Sequence, residues 1–140
     1  MFHLLKNRDI YQPYGIEIKE SLLHGQGVFA CKQFKKGAII ETAPVIILEQ
    51  NDKDCLQTTA LFHYYFVVND KKVPVVLGLG YSSLYNHSGK ANAIYSISLK
   101  NASLTIKASK TIDSGEEITL NYNGNLNDET PVYFPLDPKL

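Results

Sequence analysis

Three segments of this 140-residue chain combine residue types that can hold or transform a ligand. Gly25-Gln26-Gly27-Val28-Phe29-Ala30 has the G-x-G-x-x-A spacing with which dinucleotide folds bring backbone N–H groups up to a pyrophosphate. That chemistry needs a helix to open at the glycines, and Gly37 with strand-like runs follows too soon to leave room for one. What remains is a glycine pair where main-chain groups can approach a ligand closely or form a plain turn. The second segment, Tyr85-Asn86-His87-Ser88-Gly89-Lys90-Ala91-Asn92-Ala93, sets two hydrogen-bonding side chains side by side. Ser88 and His87 do not make a nucleophile pair, because chain neighbours rarely point at each other and no G-x-S-x-G elbow surrounds the serine. By itself, Asn86-His87 also fits a hydrogen-bonded turn. In the third, Gly115-Glu116-Glu117-Ile118-Thr119-Leu120-Asn121-Tyr122, strand alternation sends Ile118, Leu120 and Tyr122 to one face and Glu117, Thr119 and Asn121 to the other. A tyrosine closing such a row is a core aromatic or a ring whose hydroxyl faces a site.

The elements that must position these residues are mainly strands. Ile16-Glu17-Ile18-Lys19 and Leu104-Thr105-Ile106-Lys107-Ala108 alternate, while Ala38-Ile39-Ile40-Glu41 and Val45-Ile46-Ile47-Leu48 are short β-branched runs on either side of Pro44. Turn signals fall at Gly25, Gly37, Gly89, Ser114-Gly115 and Asn123-Gly124. Only residues 54–68 read as helical, with Leu56, Ala60, Leu61 and Tyr64 near one face, although aromatic and β-branched residues crowd the end of that stretch. The expected fold is mostly β, with an irregular proline-rich tail over 125–140 packed by Val132, Tyr133, Phe134 and Leu136.

The length fits one domain able to bury about two thirds of its unfolded surface without a metal or disulfide staple. Cys31 and Cys55 form no scaffold or zinc cluster and are expected to be buried, inert and reduced. Fourteen basic residues balance fourteen acidic ones, but residues 111–140 hold one basic and six acidic side chains. That end is either an ordinary solvated surface or a face that attracts a cationic partner such as a lysine-rich peptide. Direct nucleic-acid binding is not expected, because no basic face is concentrated anywhere. Residues 1–8 lack the apolar core of a signal peptide and no run approaches the ~18 residues of a membrane span. An intracellular, cytoplasmic protein is expected, so the sequons at Asn86 and Asn101 would go unused.

Singly, none of the three segments decides a function; their combination and order do. A G-x-G turn near the start, Tyr-Asn-His-Ser ending in Ala-Asn, then Gly-Glu-Glu-Ile-Thr-Leu-Asn-Tyr about thirty residues later resembles the SET domain of protein-lysine methyltransferases, in particular the compact SET proteins of bacteria and large viruses. The resemblance spans about residues 14–125, leaving 1–13 as an N-terminal extension and 126–140 as an aromatic tail. It implies β-clip-like small sheets, one short helical segment, and a C-terminal pseudoknot in which the last segment threads beside the Asn-His strand. It also implies S-adenosylmethionine as the cofactor and a lysine-containing protein, a histone or histone-like one, as the substrate. The nucleus, or a host nucleus for a viral or parasite protein, becomes a second location. A homodimer is allowed by analogy with the viral members, and a catalytically inactive module that binds a lysine-rich peptide is the alternative function.

Carried over residue by residue, the cofactor site falls on Gly25, Gln26, Gly27, Tyr64, Asn86 and His87, with Phe62, Tyr65 and Phe66 as competitors for the place of Tyr64. Tyr122 matches the catalytic tyrosine, acting as an orienter of the amine rather than a literal base. Tyr95, three residues after Asn92, matches a tyrosine lining the lysine channel. The stretch containing Tyr81 and Leu84 contributes channel walls. The cysteine-rich zinc segment that closes the channel in many members is absent, which leaves Tyr133 and Phe134 as the expected lid. Asn123-Gly124-Asn125 follows Tyr122 where a second aromatic would bear on the number of methyl groups added.

Overall fold

The computed structural model describes residues 13–70 and 72–132, and its elements are predominantly strands. β1 (Ile16–Glu20) pairs antiparallel with β2 (Gln26–Ala30). The glycine pair therefore leads into a strand, and no helix opens there, as the spacing to Gly37 requires. β9 (Glu117–Leu120) lies on the other side of β2, and β6 (Asn86–His87) runs parallel to β9 with Asn86 opposite Thr119 and His87 opposite Leu120. This parallel pairing joins segments about thirty residues apart and brings the Asn-His pair beside the Gly-Glu-Glu strand.

A second sheet has the order β4 (Tyr65–Val67), β5 (Val75–Gly78), β3 (Ile39–Leu48), β8 (Ser103–Ala108), β7 (Ala93–Ser98), antiparallel throughout. The two runs flanking Pro44 are one ten-residue strand. Pro44 is tolerated because it faces the end of β5, where its carbonyl accepts from Leu79 N–H at 3.0 Å and no ladder donor is needed. The helical stretch is shorter and earlier than its periodicity suggested. α1 (Gln50–Leu56) opens with a capping box between Glu49 and Asp52, a 3-10 turn covers Ala60–His63, and Tyr65–Val67 is strand. Among the described residues neither helical piece has a fully buried residue, Leu56 being half-buried and Ala60 and Leu61 exposed, and the aromatic and β-branched residues after them pair with β5.

Both sheets share one core, in which Val28, Tyr85, Leu104, Ile106, Ile118 and Leu120 are almost fully buried. Thr119 and Asn121 are buried as well, so β9 is covered on both faces. Cys31 and Cys55 are exposed, contrary to expectation: Cys31 follows the last residue of β2 and Cys55 lies on a helix that buries nothing. Residues 125–132 are irregular and fold back, with Asn121 Nδ2 donating to Asp128 O at 2.7 Å and Asn123 Nδ2 to Thr130 O at 2.9 Å. Tyr133, Phe134 and Leu136, and all of 1–12, lie outside the described residues. Among the described residues no helix is long and apolar enough to cross a membrane, and no cluster of three or more His, Cys, Asp or Glu side chains could hold a metal ion.

Asn92, 8% exposed, fastens β9 to the turn before β7 at two points. Its Nδ2 donates to Glu117 O and its Oδ1 accepts from Thr119 N–H, both at 2.8 Å. Asn92→Ala leaves two backbone groups of a buried strand unpaired and is expected to cost about 2–4 kcal/mol of stability. Denaturant titration measures this; a loss below about 0.5 kcal/mol would mean water replaces the amide without penalty.

Candidate active site

The first cluster forms where β2, β6 and β9 meet. Asn86 is 6% exposed, and its Nδ2 lies 2.9 Å from His24 O, 3.1 Å from Gln26 O and 2.8 Å from Glu117 Oε1. Glu117 also accepts from the Ser21 hydroxyl, 2.8 Å from each carboxylate oxygen. A single carboxylate thus fastens both the β1–β2 loop and the Asn86 amide. Gly25 turns the chain at φ +45°, and a Cβ on Gly27 would collide with Glu117 Oε1 and come within 3.0 Å of Asn86 Nδ2. The second glycine is therefore fixed by the close approach of the Glu117 carboxylate and the Asn86 amide.

The second cluster centres on Tyr122, just past β9. Its hydroxyl donates to Tyr85 O at 2.6 Å, and its ring lies 5.3 Å from that of His87, centroid to centroid. Burial, with the nearby Tyr64 and Glu117 adding to it, pushes the Tyr122 phenol up to about 12, so it stays neutral through the physiological range. His87 Nδ1 accepts from Tyr122 N–H at 3.1 Å, and burial lowers the imidazole below its usual range, which keeps that nitrogen free to accept. A histidine whose folded value is depressed destabilises the fold as pH drops below ~6.5, because the unfolded chain takes up the proton first. The melting temperature is therefore expected to fall more between pH 7.5 and 5.5 in the native protein than in His87→Gln. Equal slopes would show that His87 titrates as if exposed.

Tyr85 and Asn86 join the clusters, since Asn86 belongs to the first and Tyr85 lines a cleft of about 90 Å³ together with Tyr64, Tyr65, Phe66, Tyr95 and Tyr122. Ser82 and Ser83 complete its wall with His63 and Val67. Phe66 meets Tyr95 edge to face at 5.0 Å, and burial raises the Tyr95 phenol, so that hydroxyl is also neutral. Of the sequence-derived residues, the structure gathers Gly25, Gln26, Gly27 and Asn86 in one hydrogen-bonded cluster and Tyr64, Tyr95 and Tyr122 around one cleft, with His87 against Tyr122. Tyr64 stands on the cleft side with Tyr65 and Phe66, whereas Phe62 is exposed and meets Tyr65 edge to face at 5.8 Å. Tyr81 and Leu84 do not line the cleft; they pack against the core, and their stretch reaches the cleft through Ser82 and Ser83. Sequence reasoning missed Tyr85 and the Glu117 carboxylate, and it named the stretch from Gly80 to Leu84 without singling out Ser82 and Ser83. Glu117 alone carried a signal, an acidic residue on a strand face opposite Ile118 and Leu120.

The geometry supplies an aromatic cleft holding a phenol hydroxyl on a main-chain carbonyl, next to the hydrogen-bonded cluster around Asn86. Residues 25–123 match the SET domain family. The chain belongs to that family, and the class of protein the fold and site define is a protein-lysine methyltransferase. Among its relatives is a Schizosaccharomyces pombe histone-lysine N-methyltransferase, H3 lysine-37 specific, 28% identical over 112 residues that span 79% of this chain and 75% of the relative. A crystal structure of a Plasmodium falciparum protein described as a candidate histone methyltransferase superposes with a TM-score of 0.63 at 31% identity, covering 77% of this chain and 92% of that one.

Proposed function

We propose that the protein transfers methyl groups from S-adenosylmethionine to the ε-amine of lysine in histone or histone-like proteins. The observation that carries this reading is the Tyr122 hydroxyl held 2.6 Å from Tyr85 O in an aromatic cleft, one residue from the Asn86 recess. Residues 14–125 act as the SET domain in this reading.

The recess fits the cofactor's polar end. Asn86 Nδ2 fastens His24 O and Gln26 O, and the missing Cβ of Gly27 makes room for the Glu117 carboxylate that holds the same amide, so the main chain of residues 24–27 is fixed in place to meet the ligand's polar groups. Gly25, Gln26, Gly27, Asn86 and His87 would hold it, with Tyr64 at the cleft side. When bound, S-adenosylmethionine supplies an electrophilic methyl group on a sulfonium sulfur. Everything else falls to the chain. The aromatic walls exclude water and disfavour the lysine cation, whose free pKa is ~10.4, so the amine enters neutral. Tyr122 and the Tyr85 carbonyl orient the amine lone pair, and alignment of this kind can supply up to ~7–11 kcal/mol of the barrier. A neutral phenol with a pKa of about 12 holds an amine by hydrogen bonding and does not act as its base near neutral pH.

Calorimetry with S-adenosylmethionine, followed by transfer of tritiated methyl groups to core histones and to a cell lysate, tests the reading. Binding and labelled protein are expected; binding without label anywhere would favour a module that recruits lysine-rich partners and has lost catalysis.

Tyr95 sets how many methyl groups are added in this reading. Its hydroxyl lies 3.4 Å from the position of a Cβ on Gly124, which places it between the cleft and the residues after Tyr122. Tyr95→Phe removes an oxygen from the amine pocket and is expected to shift product toward higher methylation. An unchanged product distribution by intact mass, at equal turnover, would put the hydroxyl outside the pocket.

A further inference from the structure

The turn between β5 and β6 is pinned by a buried acid that the proposed chemistry does not use. Glu41 lies near the start of β3, beside the register shift between Ile39 and Glu41, and is 6% exposed. Its Oε1 accepts from Tyr81 N–H at 3.1 Å and its Oε2 from the Tyr85 hydroxyl at 2.9 Å. Tyr85 is itself 1% exposed, and its carbonyl is the acceptor of the Tyr122 hydroxyl. The only salt bridge among the described residues joins Glu17 and Lys19, so among them no cation pairs with Glu41. A buried acid without a cation is costly, and its two hydrogen bonds are what offset that cost.

We infer that Glu41 is a positioning residue for methyl transfer: by gripping Tyr81 and Tyr85 four residues apart, it fixes the Tyr85 carbonyl and, through it, the direction of the Tyr122 hydroxyl. The inference rests on the lysine-methyltransferase reading. Leu79 N–H on Pro44 O, Ser82 on Leu79 O and Ser83 on Gly78 O hold the start of the turn. Its far end, where the carbonyl used by Tyr122 lies, is held by Leu84 N–H on Tyr81 O at 2.8 Å and by the Tyr85 hydroxyl on Glu41. An error of a few tenths of an ångström there is transmitted straight to the reacting groups.

The test compares Glu41→Leu, which removes both acceptors, with Glu41→Gln, which keeps the shape, accepts from Tyr81 N–H and can donate to the Tyr85 oxygen. With core histones and S-adenosylmethionine, Glu41→Leu is expected to lose tenfold or more in kcat while the KM for S-adenosylmethionine stays within threefold, and Glu41→Gln to recover most of that loss. In a Tyr122→Phe background, Glu41→Leu should add less than twofold, because the hydroxyl it positions is already gone. Full additivity, or an unchanged kcat in a folded Glu41→Leu protein, overturns the inference. Tyr85→Phe, which removes one arm and keeps the ring, gives the same comparison if Glu41→Leu does not fold. A readout independent of activity is the ζ-13C signal of Tyr122 in tyrosine-labelled protein, expected to move in Glu41→Leu and to return in Glu41→Gln. If the native protein methylates nothing, the function fails while this signal still decides the positioning; an unmoved signal overturns the positioning alone.

Discussion

Tyr122→Phe is expected to lower turnover roughly a hundredfold or more while the affinity for S-adenosylmethionine holds within a few-fold. The substitution deletes only the oxygen that donates to Tyr85 O; the ring keeps its place beside His87 and the backbone N–H stays on His87 Nδ1. A phenol titrating at about 12 is neutral from pH 6 to 9, so the ratio of native to variant rates should be flat across that range. A ratio that climbs with pH would mean the phenolate is the working species. Equal rates would return Tyr122 to the role of a core aromatic, which its position at the end of the Ile118-Leu120-Tyr122 row also allows.

The second large effect belongs to Asn86. Asn86→Ala removes the amide that ties His24 O, Gln26 O and Glu117 together, so the β1–β2 loop loses its link to β6. Cofactor affinity should fall by about 1–3 kcal/mol, roughly five- to 150-fold. Asn86→Asp should be worse, since it sets a second carboxylate against Glu117 and two carbonyl oxygens with no donor between them. Calorimetry on both folded variants checks the order, and unchanged affinity in both would remove the recess from the cofactor site.

Much of this was legible in the sequence because short-range signals were strong. The alternating runs at 16–19 and 104–108 became β1 and β8 nearly residue for residue, and the three motifs led directly to the residues around the recess and the cleft. Other features depended on tertiary contacts that no local pattern reports. Residues 65–67 look helical until β5 offers them hydrogen-bonding partners, and Pro44 looks like a break until β5 proves to end opposite it. Glu41 reads as a charge on a strand face and is instead buried under a turn forty residues on. Tyr85 opened the Tyr-Asn-His-Ser motif without a role of its own, although its carbonyl accepts from the Tyr122 hydroxyl.

The most direct test of the account is mass spectrometry of core histones incubated with the protein and methyl-deuterated S-adenosylmethionine, with Tyr122→Phe in parallel. The account predicts deuterated methyl groups on lysine ε-nitrogens, at least a hundredfold fewer with the variant. Label on another residue type, or equal lysine label with both proteins, would contradict it.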